Sequence, residues 1–223
     1  MLSLGRMQRL WRQEGLRVAR RRRKRRRLGT ADNGCTRRKA ERPNHVWSYD
    51  FLMDRTEDTR RLKILAIVDE YTRENLCLHV ARNITAADVI GQLAEVIKER
   101  GAPAQIRSDN GPEFVAAELR AWLASIGSGT LFIEPGSPWQ NAYIESFNGK
   151  LRDELLDLEI FTSLAEAQYL ADSWRAEYNQ FRPHSSLGHR TPAEFAATCE
   201  ASGSASLRLR PRRSQAPQPT RLS

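Results

Sequence analysis

The chain has 223 residues, and 40% of them are hydrophobic, which is enough for one domain of ordinary size with a real core. The longest purely aliphatic run, ILAIV at 64–68, is far short of the roughly 20 residues that a membrane span needs. The basic N-terminus has no apolar run behind it, so no signal peptide is predicted. The three cysteines are scattered and lack CxxC spacing, which argues against a disulfide framework and a structural zinc site. A cytoplasmic protein without a membrane partner is the simplest expectation.

The net charge of +9 is unevenly distributed. Residues 1–43 hold 16 basic and 3 acidic residues, and residues 206–223 hold 5 arginines and no acid. Residues 44–205 hold 15 basic and 24 acidic residues. Basic ends are typical of proteins with a nucleic-acid partner. An acidic body that acts on a polyanion needs cations at its active surface, which points to bound metal.

The N-terminal region is predicted to be one short helix followed by a basic block. The helix covers 5–18, with Gly15 as a plausible end. The block of like charges cannot pack, and we expect it to stay disordered until it meets phosphates. Its members are Arg20, Arg21, Arg22, Arg23, Lys24, Arg25, Arg26 and Arg27. Residues 28–44 are predicted to be a linker.

The acidic body alternates strands and helices. Strands are predicted over 45–53, 61–69, 75–80, 104–111 and 130–134. Helices are predicted over 86–99, 113–125 and 164–181, with a short last helix after Thr191 and a further helix whose apolar residues run from Tyr143 to Leu155. The order of elements indicates a mixed α/β fold, one layered domain with helices packed on a sheet. From Ala201 onward, the composition predicts a disordered tail.

Three carboxylates have an ordinary interpretation when each is taken alone. Asp50 lies on the opposite face of its predicted strand from Trp47, Tyr49 and Phe51. It would simply be exposed to solvent if that strand lay at the edge of the sheet. Asp109 in SDNG is typical of a turn, and Glu145 is typical of a solvated helix face. Together they lie where strand ends and helix starts converge. Converging carboxylates repel one another unless cations sit between them, and all-oxygen ligands favour Mg²⁺ or Mn²⁺ over zinc.

Three segments carry a family resemblance. WSYDF, RSDNGPEF and SPWQNAYIESFNGKLRDE resemble the three motifs of the DDE transposases and retroviral integrases, and 35 residues separate Asp109 from Glu145, the typical spacing. NAYIESFNGKLRDE and the downstream YNQFRPHSSLGHRTPAEF (178–195) are more specific. They resemble the second-reading-frame transposase of bacterial insertion sequences of the insertion-sequence-three kind. The resemblance covers roughly 5–197.

The resemblance implies a fold, a chemistry and site residues. The fold is ribonuclease-H-like, a five-stranded mixed sheet flanked by helices. The chemistry is metal-dependent DNA cleavage and strand transfer at transposon ends. Asp50, Asp109 and Glu145 would be catalytic and would hold two Mg²⁺ or Mn²⁺ ions, and Arg152 would contact DNA. The implied partners are DNA, further copies of the chain on that DNA, and an upstream-frame helix-turn-helix protein; a nucleoid-associated location follows.

The resemblance also divides the chain. Residues 1–43 would be a basic helix and linker, interpreted as a truncated DNA-binding region. Residues 44–200 would be the catalytic core, and residues 201–223 a disordered basic tail.

Other residues leave alternatives open. Lys150 would contact phosphate or be a plain solvated lysine. The block at 20–27 would bind DNA or serve only solubility, and DNA binding is the favoured interpretation. Asp69 would be a fourth carboxylate of the site or a structural residue at the end of its strand, and the second interpretation is favoured. Asn141 would position the Glu145 helix by a hydrogen bond or only cap it. The four histidines share no ligand spacing.

The polar face of the Glu145 helix is interpreted as a surface that meets DNA. Glu145, Asn148, Gly149 and Arg152 share this face. Gly149 would remove a side chain so that the backbone comes close to the duplex. Two other functions compete with a transposase: a ribonuclease-H-like nuclease that acts on RNA–DNA hybrids, and a non-catalytic DNA-binding remnant or regulator.

Overall fold

The computed structural model describes residues 39–108, 117–132 and 141–199. The predicted helix over 5–18, the basic block at 20–27 and the tail from 201 lie outside the described residues, as does Asp109. Among the described residues, no helix is long and apolar enough to cross a membrane.

Five strands form one mixed sheet, which confirms the predicted architecture. They are β1 (Val46–Arg55), β2 (Arg61–Asp69), β3 (Asn75–Ala81), β4 (Gln105–Ser108) and β5 (Gly129–Phe132). The order across the sheet is β3-β2-β1-β4-β5, with β1, β2 and β3 antiparallel and β4 and β5 parallel to β1. The strand that carries Asp50 therefore lies in the middle of the sheet, and the edge-strand interpretation of Asp50 is wrong.

Helices cover both faces of the sheet. They are α1 (Ala86–Arg100), α2 (Ala117–Ser125), α3 (Ala142–Leu151), a π turn (Arg152–Leu156) that continues α3, α4 (Leu164–Gln180), a 3₁₀ turn (Ser185–Leu187) and α5 (192–199). One core layer packs α1 and α2 on the sheet, and the other packs α3, the π turn and α4.

The alternation along β1 decides which layer each side chain meets. Trp47 and Tyr49 are buried in the α1–α2 layer, whereas Leu52 is buried in the layer of α3 and α4. Side chains alternate along a strand, so Asp50 points to the same side as Leu52. The sheet thus presents Asp50 to the face that α3 covers.

Capping residues in the sequence account for the ends of α1 and for the start of α4. Thr85 and Asp88 form a complete capping box, and Gly101 ends α1 with a φ of 79°. At α4, the Ser163 hydroxyl accepts from the Glu166 N–H, while the Glu166 carboxylate accepts from Thr162, so this box is offset by one residue.

Helical spacing over 164–181 predicts that Phe181 points inward together with Trp174 and Tyr178, and this prediction is wrong. Its side chain is 72% exposed. The α4 helix ends at Gln180, and Phe181 has a φ of −122°, so the helical periodicity that predicted its direction no longer applies.

Candidate active site

Asp50 lies at the centre of the sheet with both carboxylate oxygens hydrogen-bonded. It pairs with Ala66 of β2 in the strand register. Its Oδ1 accepts from the Phe51 N–H at 2.8 Å, and its Oδ2 accepts from the Asn148 amide Nδ2 at 2.8 Å. The second bond reaches from β1 to α3 and fixes the direction of the carboxylate.

The apolar face of α3 holds that helix against the sheet. Ile144, Phe147 and Leu151 are buried, as the three- and four-residue spacing predicts. The Phe147 ring meets Trp174 and Tyr178 of α4 edge-on, with centroids 5.5 and 5.0 Å away. This packing leaves the polar face of α3 directed toward Asp50.

Glu145 is exposed in the first turn of α3. Residues three apart on a helix are neighbours on one face, so Glu145 shares its face with Asn148. Asn148 touches the Asp50 carboxylate, and Glu145 is therefore one turn from that contact. The structure brings Asp50 and the helix of Glu145 together.

Asp109 follows β4, the strand beside β1. Ser48 of β1 pairs with Arg107, and the structure describes β4 as far as Ser108, one peptide bond before Asp109. The strand that leads to the second predicted carboxylate is thus next to the strand that carries the first.

A buried ion pair, which the sequence interpretation missed, supports these two strands. Glu70 and Arg107 are 1% and 4% exposed, and Arg107 Nε donates to Glu70 Oε1 at 2.8 Å. The Ser48 hydroxyl also donates to the Glu70 carboxylate. Ser48 and Asp50 lie on the same side of β1, so this pair ties β4 to the strand beneath Asp50. Glu70 and Arg107 each lie among other polar residues, in VDEYTR and QIRSDNG, so no local pattern in the sequence indicated the pair.

Asp69 has the structural role that the sequence favours. It is buried at the end of β2 and accepts from the N–H groups of Asn44, Tyr71 and Thr72 at 2.8, 2.7 and 3.2 Å. Burial raises the pKa of Asp69, although these backbone N–H groups oppose the effect. Its bonds hold the turn after β2.

The remaining predicted residues of the helix divide between two sides of α3. Arg152 is exposed at the start of the π turn, and a Cβ added at Gly149 would meet no heavy atom within 4 Å. Lys150 is half-buried on another side of α3, where burial lowers its pKa. Asn141 occupies the N-cap position of α3, but its side chain makes no capping bond.

Comparison with known proteins identifies the family. Two models described as Integrase core domain match the chain, one over residues 40–138 and the other over residues 127–192. An insertion element IS407 protein of Burkholderia multivorans is 42% identical over 200 residues, which are 90% of this chain and 71% of that protein. The chain belongs to the insertion-element proteins with an integrase core domain.

Further relatives agree with this assignment. An insertion element IS476 protein of Xanthomonas euvesicatoria is 44% identical over 85% of this chain and 54% of its own length. The transposase of insertion sequence element IS904 of Lactococcus lactis is 27% identical over 70% of this chain and 63% of that protein. The chain thus spans about half to two thirds of the length of these members. The resemblance to transposases is confirmed.

A solved structure of similar shape identifies the fold of this family member. The HTLV-2 integrase catalytic core, solved in complex with magnesium, has a TM-score of 0.55. It is 19% identical and covers 70% of this chain and 97% of that one. At this identity the likeness speaks for the fold alone, and that fold is ribonuclease-H-like, as predicted.

The oxygen donors of the site suit a hard cation. Asp50 and Glu145 supply carboxylate oxygens, which Mg²⁺ and Mn²⁺ prefer over nitrogen or sulfur ligands. In the part of the chain that the structure describes, no three His, Cys, Asp or Glu side chains form a cluster that could hold a metal ion. Asp109, the remaining predicted carboxylate, is outside that part, so the complete set stays a prediction.

Proposed function

We propose that this chain cleaves DNA at the ends of an insertion sequence and joins the resulting 3′ ends to target DNA. The observation that carries this function is the hydrogen bond from Asn148 to Asp50, which brings the helix of Glu145 against the central strand. The names of the relatives, including the transposase of IS904, support the same chemistry.

Asp50, Asp109 and Glu145 are the residues that would hold the metal. Their carboxylates fit Mg²⁺ or Mn²⁺, and the magnesium complex of the HTLV-2 core supports a magnesium-dependent reaction. Two bound ions would lower the pKa of the attacking hydroxyl and neutralise the departing oxygen. The number of ions is part of the proposal.

The protein groups contribute positioning and charge. The Phe51 N–H and the Asn148 amide orient the Asp50 carboxylate before any ligand arrives. Glu145 is exposed and accessible to a DNA strand that lies along α3. Arg152 would bind a DNA phosphate beyond Asn148. No covalent protein intermediate is needed, because the nucleophile is water for cleavage and a DNA 3′-hydroxyl for joining.

Residues outside the catalytic face would add to DNA binding. The basic block at 20–27 would add sequence-independent affinity through phosphate contacts. We also propose that several copies act together on the DNA and that an upstream-frame protein assists them, as the family resemblance implies.

The test uses the full chain and duplex DNA that carries the terminal repeats flanking the gene. We expect nicks at the repeat ends and joined products in Mg²⁺ or Mn²⁺, and no products with a chelator. Hydrolysis of an RNA–DNA hybrid without joining would indicate a nuclease instead. Binding of the repeats without cleavage in either metal would indicate a regulator.

A further inference from the structure

A second site lies on a different side of α3 from Glu145. It is a cavity of about 270 Å³ between α3, the turn after β2 and the segment that follows α4. Three nitrogen-bearing side chains line it, namely Arg73, Lys150 and His184, and the exposed residues Ser146 and Ser186 line it as well. None of these residues belongs to the proposed catalytic face.

Arg73 is held in an unusual conformation beside this cavity. It has a φ of 66°, in the left-handed region that non-glycine residues seldom adopt, and its N–H donates to the Asp69 carbonyl at 2.9 Å. Its guanidinium lies 3.6 Å from the centroid of the Tyr143 ring. Its Nη1 is buried and has no hydrogen-bond partner among the described residues. A strained, stacked arginine therefore keeps a buried donor that no acceptor among the described residues satisfies.

His184 and Lys150 complete the polar lining. His184 is buried with its ring edge-on to Tyr178 at 5.1 Å, and its Nε2 has no partner in the described ranges. Lys150 Nζ lies 5.9 Å from the centroid of the same Tyr178 ring. Both residues thus offer nitrogen atoms to the cavity above one aromatic wall.

The charges around the cavity are out of balance. Arg182 forms an ion pair with Glu154, whereas Arg73 and Lys150 have no ion pair with any carboxylate in the described part of the chain. Burial and the neighbouring Lys150, Arg182 and Arg73 lower the pKa of His184 to about 4. Half-buried like charges without a counter-ion are unfavourable and favour an anionic ligand.

We propose that this cavity binds a phosphate group through Arg73, Lys150 and the nearby hydroxyls. A phosphate offers several acceptor oxygens, which suits the fork of an arginine and the point charge of a lysine. The group would come from the DNA backbone or from free phosphate. The inference that DNA supplies the phosphate rests on the proposed function. Lys150 is five residues from Glu145, about 7.5 Å along the helix axis. One DNA strand could contact both.

The phosphate chemistry is tested with inorganic phosphate and the full chain. We expect millimolar phosphate to raise the Tm above that in chloride of equal ionic strength. Arg73→Gln and Lys150→Gln should each remove this increase, and Lys150→Arg should keep it. Lys98→Gln, on an exposed lysine of α1 that pairs with Glu95, is the matched control and should behave like the original chain. Circular dichroism in chloride checks that each variant is folded.

The DNA source is tested by the salt dependence of binding to a terminal-repeat duplex. Lys150→Gln removes one phosphate contact, so the magnitude of the negative slope of log K against log salt concentration should decrease by about one. Lys98→Gln should leave this slope unchanged. A phosphate effect without a slope change would support the site and exclude DNA as its source. Absence of both effects would overturn the site. Asp50→Asn should keep the full slope, so failure of this site is distinct from failure of the catalytic proposal.

Discussion

Asn148 of α3 donates a 2.8 Å hydrogen bond to the carboxylate of Asp50 in β1, across 98 residues of sequence. The bond joins the central strand of the sheet to the helix that carries Glu145. It also occupies one oxygen of Asp50, so the carboxylate is oriented before it meets a ligand. Asn148 is therefore a positioning residue in the proposed site.

Replacing Asn148 should weaken catalysis more than folding. We expect Asn148→Ala to reduce strand cleavage by about 10- to 100-fold, the usual effect of losing a partner that orients a metal ligand. The apparent Mg²⁺ requirement should rise with it, which a purely structural role would not produce. Cleavage rates over a range of Mg²⁺ concentrations measure this. Asn83→Ala, at an exposed position, is the control, and an unchanged Mg²⁺ requirement in Asn148→Ala would refute the positioning role.

Gly149 provides a test of how closely DNA approaches α3. A Cβ added at Gly149 would meet no heavy atom of the described residues within 4 Å, so we expect Gly149→Leu to fold with nearly unchanged stability. It should nonetheless damage strand transfer, because the side chain would occupy the surface beside Glu145. Gly91→Leu is matched, since Gly91 is exposed on α1 and also has open space. If Gly149→Leu retains joining activity like Gly91→Leu, the glycine is only a tolerated helix flaw.

The buried Glu70–Arg107 pair should matter greatly for stability. Arg107→Met would leave the Glu70 charge buried without its cation, which typically costs about 3–5 kcal/mol of unfolding free energy. Adding Glu70→Gln should restore part of that loss. Urea denaturation measures both. Lys98→Met, which breaks an exposed pair with Glu95, should cost only about 0–1 kcal/mol. If Arg107→Met also cost only about 0–1 kcal/mol, this would contradict the role of the pair in holding β4.

Stability should decrease in mild acid because of His184. Burial and nearby cations lower its pKa from 6.5 to about 4. The unfolded chain therefore takes up this proton more readily, so the contribution of His184 is lost as pH falls from about 6.5 to 4. His184→Gln should show a weaker decrease over that interval, and His79→Gln should decrease like the original chain. Equal slopes for all three in denaturation at several pH values would exclude His184 as the cause.

Local patterns in the sequence predicted the elements of the site but not their contacts. Alternation along β1 placed Asp50 opposite Trp47 and Tyr49, and helical spacing placed Glu145 with Asn148. Whether β1 is central depends on partners far along the chain, so periodicity could not reveal it. The same holds for the Asn148–Asp50 bond.

Long-range polar pairs were hardest to predict. Glu70 and Arg107 are 37 residues apart, and each resembles an ordinary surface charge until the sheet forms. Lys150 shows the opposite difficulty. Its sequence context left a phosphate contact and a plain solvated lysine as equal interpretations, and its half-buried place beside Arg73 and His184 supports the phosphate contact that we propose. The catalytic and DNA-binding roles of all the predicted site residues, including Asp109 and the block at 20–27, stay predictions.

The most direct measurement is strand cleavage and joining in Mg²⁺ by Asp50→Asn, Asp109→Asn and Glu145→Gln, alongside their affinity for terminal-repeat DNA. The three carboxylates form one site in our account, so each variant should lose both reactions while binding DNA nearly as tightly as the original chain. Metal-dependent cleavage that persists in Asp109→Asn, or in either other variant, would contradict the assignment.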